Sequence, residues 1–285
     1  MPISAPLPER RGQAAPPELQ AKREMLASAI ASGALPPVQG QSSADVGSVR
    51  TIRFGQPDVD GTTIVHFHGG GFRQGAPEAC AAYSAALADV TGAAVFCPAY
   101  RLAPEEPFPA ALNDGMRVLR QLSGCSRRLI LAGDSAGGGI AAGLAQLCVY
   151  GGLPITGLVL HSPWLDLSVT SASYRTNAQT DPLFSQASAE QAACMYLQGH
   201  VASDPLASPL LADAALYPPT FISVGRGEVL LDDSRAFYDR LVAASCRATL
   251  CEVSGMDHVA VTRGPDLPGA RQVLKATLSF LAELG

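Results

Sequence analysis

Short apolar runs alternate with longer runs of helical spacing along most of this chain. The short runs, at 49–54, 64–67, 93–97, 129–132, 158–161, 221–224 and 249–253, are bounded by Gly, Pro, Ser or Asp and have the length of β-strands. Helical spacing fills most of the gaps between them, at 78–90, 110–122, 138–150, 231–244 and 268–284. Strand and helix in alternation predict a largely parallel sheet covered by helices on both faces. Runs such as Leu129-Ile130-Leu131-Ala132, apolar at every position, fit strands buried on both sides.

Two stretches depart from that rhythm. A Pro-rich lead opens into a helical run at 17–32, which stops at Gly33 where a left-handed cap fits, and 36–47 reads as a loop. Residues 165–218 are rich in Ser, Asp and Pro, offer one helix at 188–197 and no strand. An insertion that long between strands of one sheet is expected to form a lid or pocket wall over the strand ends, where α/β sheets bind ligands. The predicted organisation is a single catalytic domain over 48–285, interrupted by a cap insertion at about 165–218, with 1–47 as the amino-terminal part of that cap.

Composition agrees with a core-rich enzyme domain. Hydrophobic residues make up 47% and charged residues 16% of the 285 positions, enough apolar material to bury a sheet between helix layers. The net charge of −5, without a basic cluster, argues against nucleic acid or an anionic membrane as partner. Seven scattered cysteines, an odd number without metal-ligand spacing, are expected as free thiols. The amino terminus has no apolar signal core and no run is long enough to span a membrane, so a cytoplasmic location is expected.

The chemistry lies in two glycine-rich turns. Gly133-Asp134-Ser135-Ala136-Gly137 follows one strand-like run and opens a helical one, the setting in which G-x-S-x-G forms a nucleophile elbow and presents the serine at the top of the sheet. His68-Gly69-Gly70-Gly71 follows another strand-like run, and backbone N–H groups in such a loop can point at a developing oxyanion. A serine needs a base, and the base needs an orienting carboxylate. Of five histidines, His66 and His68 precede the serine, His161 sits at a strand end as a core or pocket-wall residue, and His200 lies in the irregular insertion. His258, in a loop between the last strand and the last helix, is the predicted base. The acid belongs after the preceding strand, where Glu228, Asp232 and Asp233 compete; either aspartate could instead favour the terminus of the helix that follows. Asp134, beside the nucleophile, is read as orienting backbone near the elbow.

These residues resemble the bacterial hormone-sensitive-lipase family (family IV) of esterases within the α/β-hydrolase fold. The resemblance runs from about Thr63 to His258 through five ordered motifs: His68-Gly69-Gly70-Gly71-Phe72, Tyr100-Arg101-Leu102-Ala103-Pro104-Glu105, Gly133 to Gly138, Ser162-Pro163-Trp164-Leu165-Asp166-Leu167, and Gly225-x-x-Glu228-x-Leu230-x-Asp232-Asp233. It implies that Glu228 takes the acid position, usually Asp in the family, and that Asp232 and Asp233 match a non-catalytic pair. It also implies oxyanion donors at the N–H groups of Gly70, Gly71 and Ala136, with His68 anchoring the loop that Gly69 begins. Glu106 stands where the family often has His and is expected to matter little. Tyr100 and Trp164 are read as core aromatics of strand ends.

The expected function is hydrolysis of short-chain carboxylic esters through a Ser135–His258–Glu228 triad and an acyl-enzyme, without metal or cofactor. Acyl transfer, and hydrolysis of a lactone or an acetylated metabolite, would use the same residues. The partner expected is a small-molecule ester; the residues do not decide between a monomer and a homodimer.

Overall fold

The computed structural model describes residues 5–57 and 61–284. Eight strands form one sheet: β1 (Ser42–Val46), β2 (Val49–Phe54), β3 (Thr62–Phe67), β4 (Ala94–Pro98), β5 (Arg128–Asp134), β6 (Gly157–His161), β7 (Thr220–Gly225) and β8 (Ala248–Val253). Their spatial order is β1-β2-β4-β3-β5-β6-β7-β8. From β4 to β8 every pair is parallel, whereas β2 runs antiparallel to both β1 and β4.

Alternation along the central strands divides the core in two. Val65 and Phe67 of β3, Phe96 of β4, and Leu129 and Leu131 of β5 point into one apolar layer. Ile64, Val95, Ile130 and Ala132 point into the other. The first layer is closed by α3 (Ala110–Leu122), α4 (Ala136–Gly151) and α7 (Leu231–Ala243), the second by α2 (Ala81–Thr91) and α9 (Ala270–Glu283). Both faces being covered is why these strands carry apolar residues at successive positions.

Several expectations need correction. The segment 36–47 is not all loop: Ser42–Val46 is β1, an edge strand, so the sheet begins before residue 48. Three of its five residues, Ser42, Ser43 and Asp45, are polar and two are exposed, which hides the strand from a hydrophobic pattern. The hairpin turn, Gly47 and Ser48 at φ 60° and 61°, creates it instead. A 3-10 turn, Pro77–Cys80, takes the place of the first turn expected of α2. A short α8 (Ala260–Arg263) follows His258, and α4 begins directly after Ser135 rather than at Gly138.

The insertion carries α5 (Ser173–Thr176) and α6 (Gln186–Leu197), and no strand among its described residues. The amino-terminal α1 (Pro17–Ala31) lies over the same end of the sheet, held by Arg23, which donates to the carbonyls of Arg73 and Ala103 and pairs with Glu105 at 2.9 Å. Among the described residues, no helix is long and apolar enough to cross a membrane.

Candidate active site

The site grows from the end of β5. Ser135 has φ 53° and ψ −121°, a conformation that costs an L-residue energy and persists only where its surroundings enforce it. The enforcement is close packing: a Cβ on Gly137 would lie 2.0 Å from the carbonyl oxygen of Phe67, so only glycine lets α4 approach β3 here. Ser135 thereby stands at the amino terminus of a sixteen-residue helix, where unpaired N–H groups and the helix dipole favour negative charge.

Ser135, His258 and Glu228 come together. Ser135 Oγ lies 2.9 Å from Nε2 of His258, and Nδ1 of His258 lies 2.7 Å from Oε2 of Glu228. All three are buried. The other oxygen of Glu228 accepts from the hydroxyl of Ser162 at 2.8 Å and from the backbone N–H of Gly225. Burial lowers the basicity of His258, but the hydrogen bond and charge of Glu228 outweigh it and hold the imidazole pKa above the usual value. Phe184 stacks on the imidazole, with ring centroids 5.7 Å apart and planes 13° apart.

The glycine loop is braced from three sides. Asp134 accepts from the N–H of Gly69 at 3.0 Å and from Nε2 of His66 at 2.8 Å, so its carboxylate ties the elbow to the loop. His68 donates from Nδ1 to the carbonyl of Gly69 at 2.7 Å, and burial keeps its pKa low. Tyr100 stacks on His68 at 4.4 Å and donates to the His68 carbonyl at 2.7 Å. Tyr100 is thus more than a core aromatic, whereas Trp164 is fully buried as expected. Gly70, at φ 117°, and Gly71 line the cavity, and their N–H groups meet no acceptor among the described residues. Ala136 lies just behind Ser135 as the first residue of α4.

The remaining candidates are placed elsewhere. His161 is fully buried, hydrogen-bonded to Tyr83 and Ser223 at 2.7 Å each, and burial takes its pKa down to about 3. His200 pairs with Asp204 at 2.6 Å, away from Ser135's hydrogen-bonding partners. Glu106 pairs with Arg101 at 3.2 Å.

Asp232 and Asp233 do more than favour the end of α7. Asp233, fully buried, accepts from the N–H groups of Leu165 and Asp166 at 3.1 Å each and from the Ser171 hydroxyl at 2.7 Å. Asp232 accepts from the N–H of Ser173 at 2.8 Å. These carboxylates hold the root of the insertion. Burial pushes the pKa of Asp233 up to about 7. Asp233→Ala is expected to cost roughly 2–4 kcal/mol in urea unfolding, because the buried N–H of Leu165, the half-buried N–H of Asp166 and the Ser171 hydroxyl lose their acceptor. A loss below about 1 kcal/mol, the size of a helix-terminus effect, would show that the tether carries no stability.

Residues not singled out in the sequence complete the acid's surroundings. Ser162, at φ 45°, bridges Glu228 and the N–H of Val259. Asp181 accepts from Val229 N–H at 3.0 Å, and Asn177 donates to the Glu228 carbonyl at 2.8 Å. The only sequence signal was the position of Ser162 at the head of its motif; Asp181 and Asn177 lie in the stretch without periodicity.

A cavity of about 480 Å³ opens in front of Ser135. Its walls come from the glycine loop, from Leu183 and Phe184 of the insertion, from Val259 beside the histidine, and from Lys22 and Leu26 of α1.

The sequence and the fold match known proteins. A family model of the alpha/beta hydrolase fold covers residues 64–262. An acetyl-hydrolase from Streptomyces hygroscopicus is 39% identical over 226 residues, 78% of this chain and 76% of that protein. The carboxylesterase NlhH from Mycobacterium tuberculosis is 31% identical over 231 residues, 76% of this chain and 72% of that protein. The crystal structure of a hormone-sensitive lipase from a metagenome library superposes with a TM-score of 0.85 at 32% identity, covering 95% of this chain and 94% of that one. The chain therefore belongs to the α/β-hydrolase fold family. Within it, the chain is a bacterial hormone-sensitive-lipase (family IV) esterase, a serine hydrolase that cleaves carboxylic esters.

Proposed function

We propose that this esterase acts on dissolved esters with short acyl groups, roughly two to six carbons, through Ser135, His258 and Glu228. The observation that carries the reading is the unbroken chain of hydrogen bonds, 2.9 Å and 2.7 Å long, from the Ser135 hydroxyl through the imidazole to the carboxylate. Ser135 Oγ attacks the ester carbonyl as Nε2 of His258 takes its proton, and Glu228 stabilises the imidazolium through Nδ1–H. The N–H groups of Gly70, Gly71 and Ala136 stabilise the tetrahedral oxyanion. Collapse breaks the bond to the alcohol, which leaves with the proton from Nε2. Water then attacks the acyl-Ser135 ester with His258 again as base, releasing the acid and restoring the serine.

Short acyl groups suit the size of the cavity, about 480 Å³, which is flanked by Phe184 and Leu183 of the insertion and by Lys22 and Leu26 of α1. The kinship with an acetyl-hydrolase supports the same size class. A panel of p-nitrophenyl esters is the test. kcat/KM is expected to peak between two and six carbons, with saturation below the solubility limit of the butyrate. A peak at about twelve carbons or more, or a jump in rate as substrate passes into emulsion, would refute the short-chain reading.

A further inference from the structure

The cavity in front of Ser135 has an unusual charge for an acidic protein. Three cationic side chains line it, Lys22 from α1, Arg73 from the glycine loop and Arg263 from α8. Among the described residues, none of the three forms an ion pair with a carboxylate, whereas Arg23, Arg50 and Arg101 close by are all paired.

Arg73 is the most telling. It is half-buried, and its hydrogen bonds go to neutral groups: Nη1 to the Gln191 side-chain oxygen at 2.7 Å, and Nη2 to the Ser188 hydroxyl at 3.1 Å and the Ser188 carbonyl at 3.4 Å. Its Nε lies 3.7 Å from where a Cβ on Gly71 would sit, so the guanidinium runs along the glycine loop. Burial without a counter-charge lowers its pKa. Arg263 donates to the carbonyl of His258 at 3.4 Å, and Lys22 is exposed on α1 facing the same opening.

The carboxylates nearby do not neutralise this set. Asp134, the only acid among the described lining residues, has both oxygens occupied by Gly69 N–H and His66. Glu105 is engaged by Arg23 and Glu78 by Arg50. Gln74, Ser188 and Thr262 add neutral polar groups to a lining that also holds the apolar Leu26, Leu183, Phe184 and Val259. A desolvated guanidinium with free donor capacity, reinforced by two further cations at one opening, matches a carboxylate.

Building on the hydrolytic reading above, we propose that the preferred substrates are esters carrying a carboxylate, which Arg73, Lys22 and Arg263 bind while Ser135 attacks the ester carbonyl. The carboxylate belongs either to the acyl part, as in a half-ester of a dicarboxylic acid, or to the alcohol part, as in an acyl ester of a hydroxy acid. Its role is in binding and positioning; bond-making remains with Ser135 and His258.

Two matched pairs test this on the full chain, each rate corrected for uncatalysed hydrolysis. On the acyl side, mono-p-nitrophenyl adipate is compared with p-nitrophenyl hexanoate. On the alcohol side, 4-acetoxybenzoate is compared with 4-acetoxybenzamide. At low salt the anionic member of at least one pair is expected to be favoured by about tenfold or more in kcat/KM, and whichever pair shows it identifies the side. The preference should shrink severalfold at about 0.5 M salt, as screening of partly exposed charges requires. Arg73→Gln should lower the anionic-to-neutral ratio most. Because that change also loosens α6, the exposed pair Lys22→Gln/Arg263→Gln provides a second reading, with an expected fall in the ratio of threefold or more. Equal or better turnover of the neutral member in both pairs, or a ratio that none of these variants moves, would overturn the proposal. Absence of turnover on all four esters would instead overturn the hydrolytic reading beneath it.

Discussion

Ser135→Ala is expected to fold and to lose turnover by roughly 10⁶-fold, the scale on which a triad serine acts when its base and oxyanion donors stay in place. Alanine needs the same φ of 53° that serine already holds, and the packing of Gly137 on Phe67 that enforces it is untouched. The backbone N–H of Ser135 still donates to the His161 carbonyl at 2.9 Å, so the strand end keeps its register. The measurement pairs kcat on a short p-nitrophenyl ester with mass-spectrometric mapping of a fluorophosphonate label. Labelling should vanish with the hydroxyl. A label that persists on another serine, or a kcat within tenfold of the parent, would remove Ser135 from the role.

His258→Ala is expected to cost a similar factor, about 10⁶ in kcat, because without Nε2 the serine hydroxyl has no proton acceptor. His161→Ala is the control. Its two ring nitrogens are committed to Tyr83 and Ser223 and burial holds its pKa near 3, so that change should lower stability while leaving kcat within about tenfold. Glu228→Gln belongs between the two, at about 10⁴-fold. The Gln carbonyl would keep the bonds from Ser162 and Gly225, leaving its NH₂ to face Nδ1 of His258. The imidazole would then carry its proton on Nε2 and donate to Ser135 rather than accept from it. The pH profile gives an independent sign. His258 must be neutral to act, and Glu228 raises its pKa, so the acid limb of kcat/KM should lie above the usual histidine range and move to lower pH in Glu228→Gln. An unshifted limb, or a comparable collapse of kcat in His161→Ala, would send the search for the base elsewhere.

The elements legible in the sequence were those whose residues answer to one dominant force. β3 to β7 are buried on both faces, and burial writes an apolar run that needs no context to read. The elbow was equally plain, since Gly133 and Gly137 are demanded by backbone contacts that no other residue tolerates. What stayed hidden was held by hydrogen bonds between distant segments. β1 exists because a tight turn folds Ser42–Val46 back on β2, and polar residues serve that ladder as well as apolar ones. Asp233 looks like a helix-terminus carboxylate until Leu165 and Asp166 are seen against it, 68 and 67 positions earlier. Asp181 is likewise ordinary in sequence, and Ser162, marked there only as the head of a motif, acquires its role from the fold.

The same long-range bonds set a limit on how this enzyme can be re-engineered. Asp233 and Asp232 grip the start of the insertion, while Asp181 and Asn177 from within it grip the turn that presents Glu228. Insertion and acid turn are thus laced into one piece. A chimaera that exchanged 165–218 wholesale would carry away acceptors and donors that keep the carboxylate aimed at His258, and would lose catalysis along with the old selectivity. Grafts confined to the inner faces of α1 and α6, which touch the cavity but not the lacing, are the modular part of this scaffold.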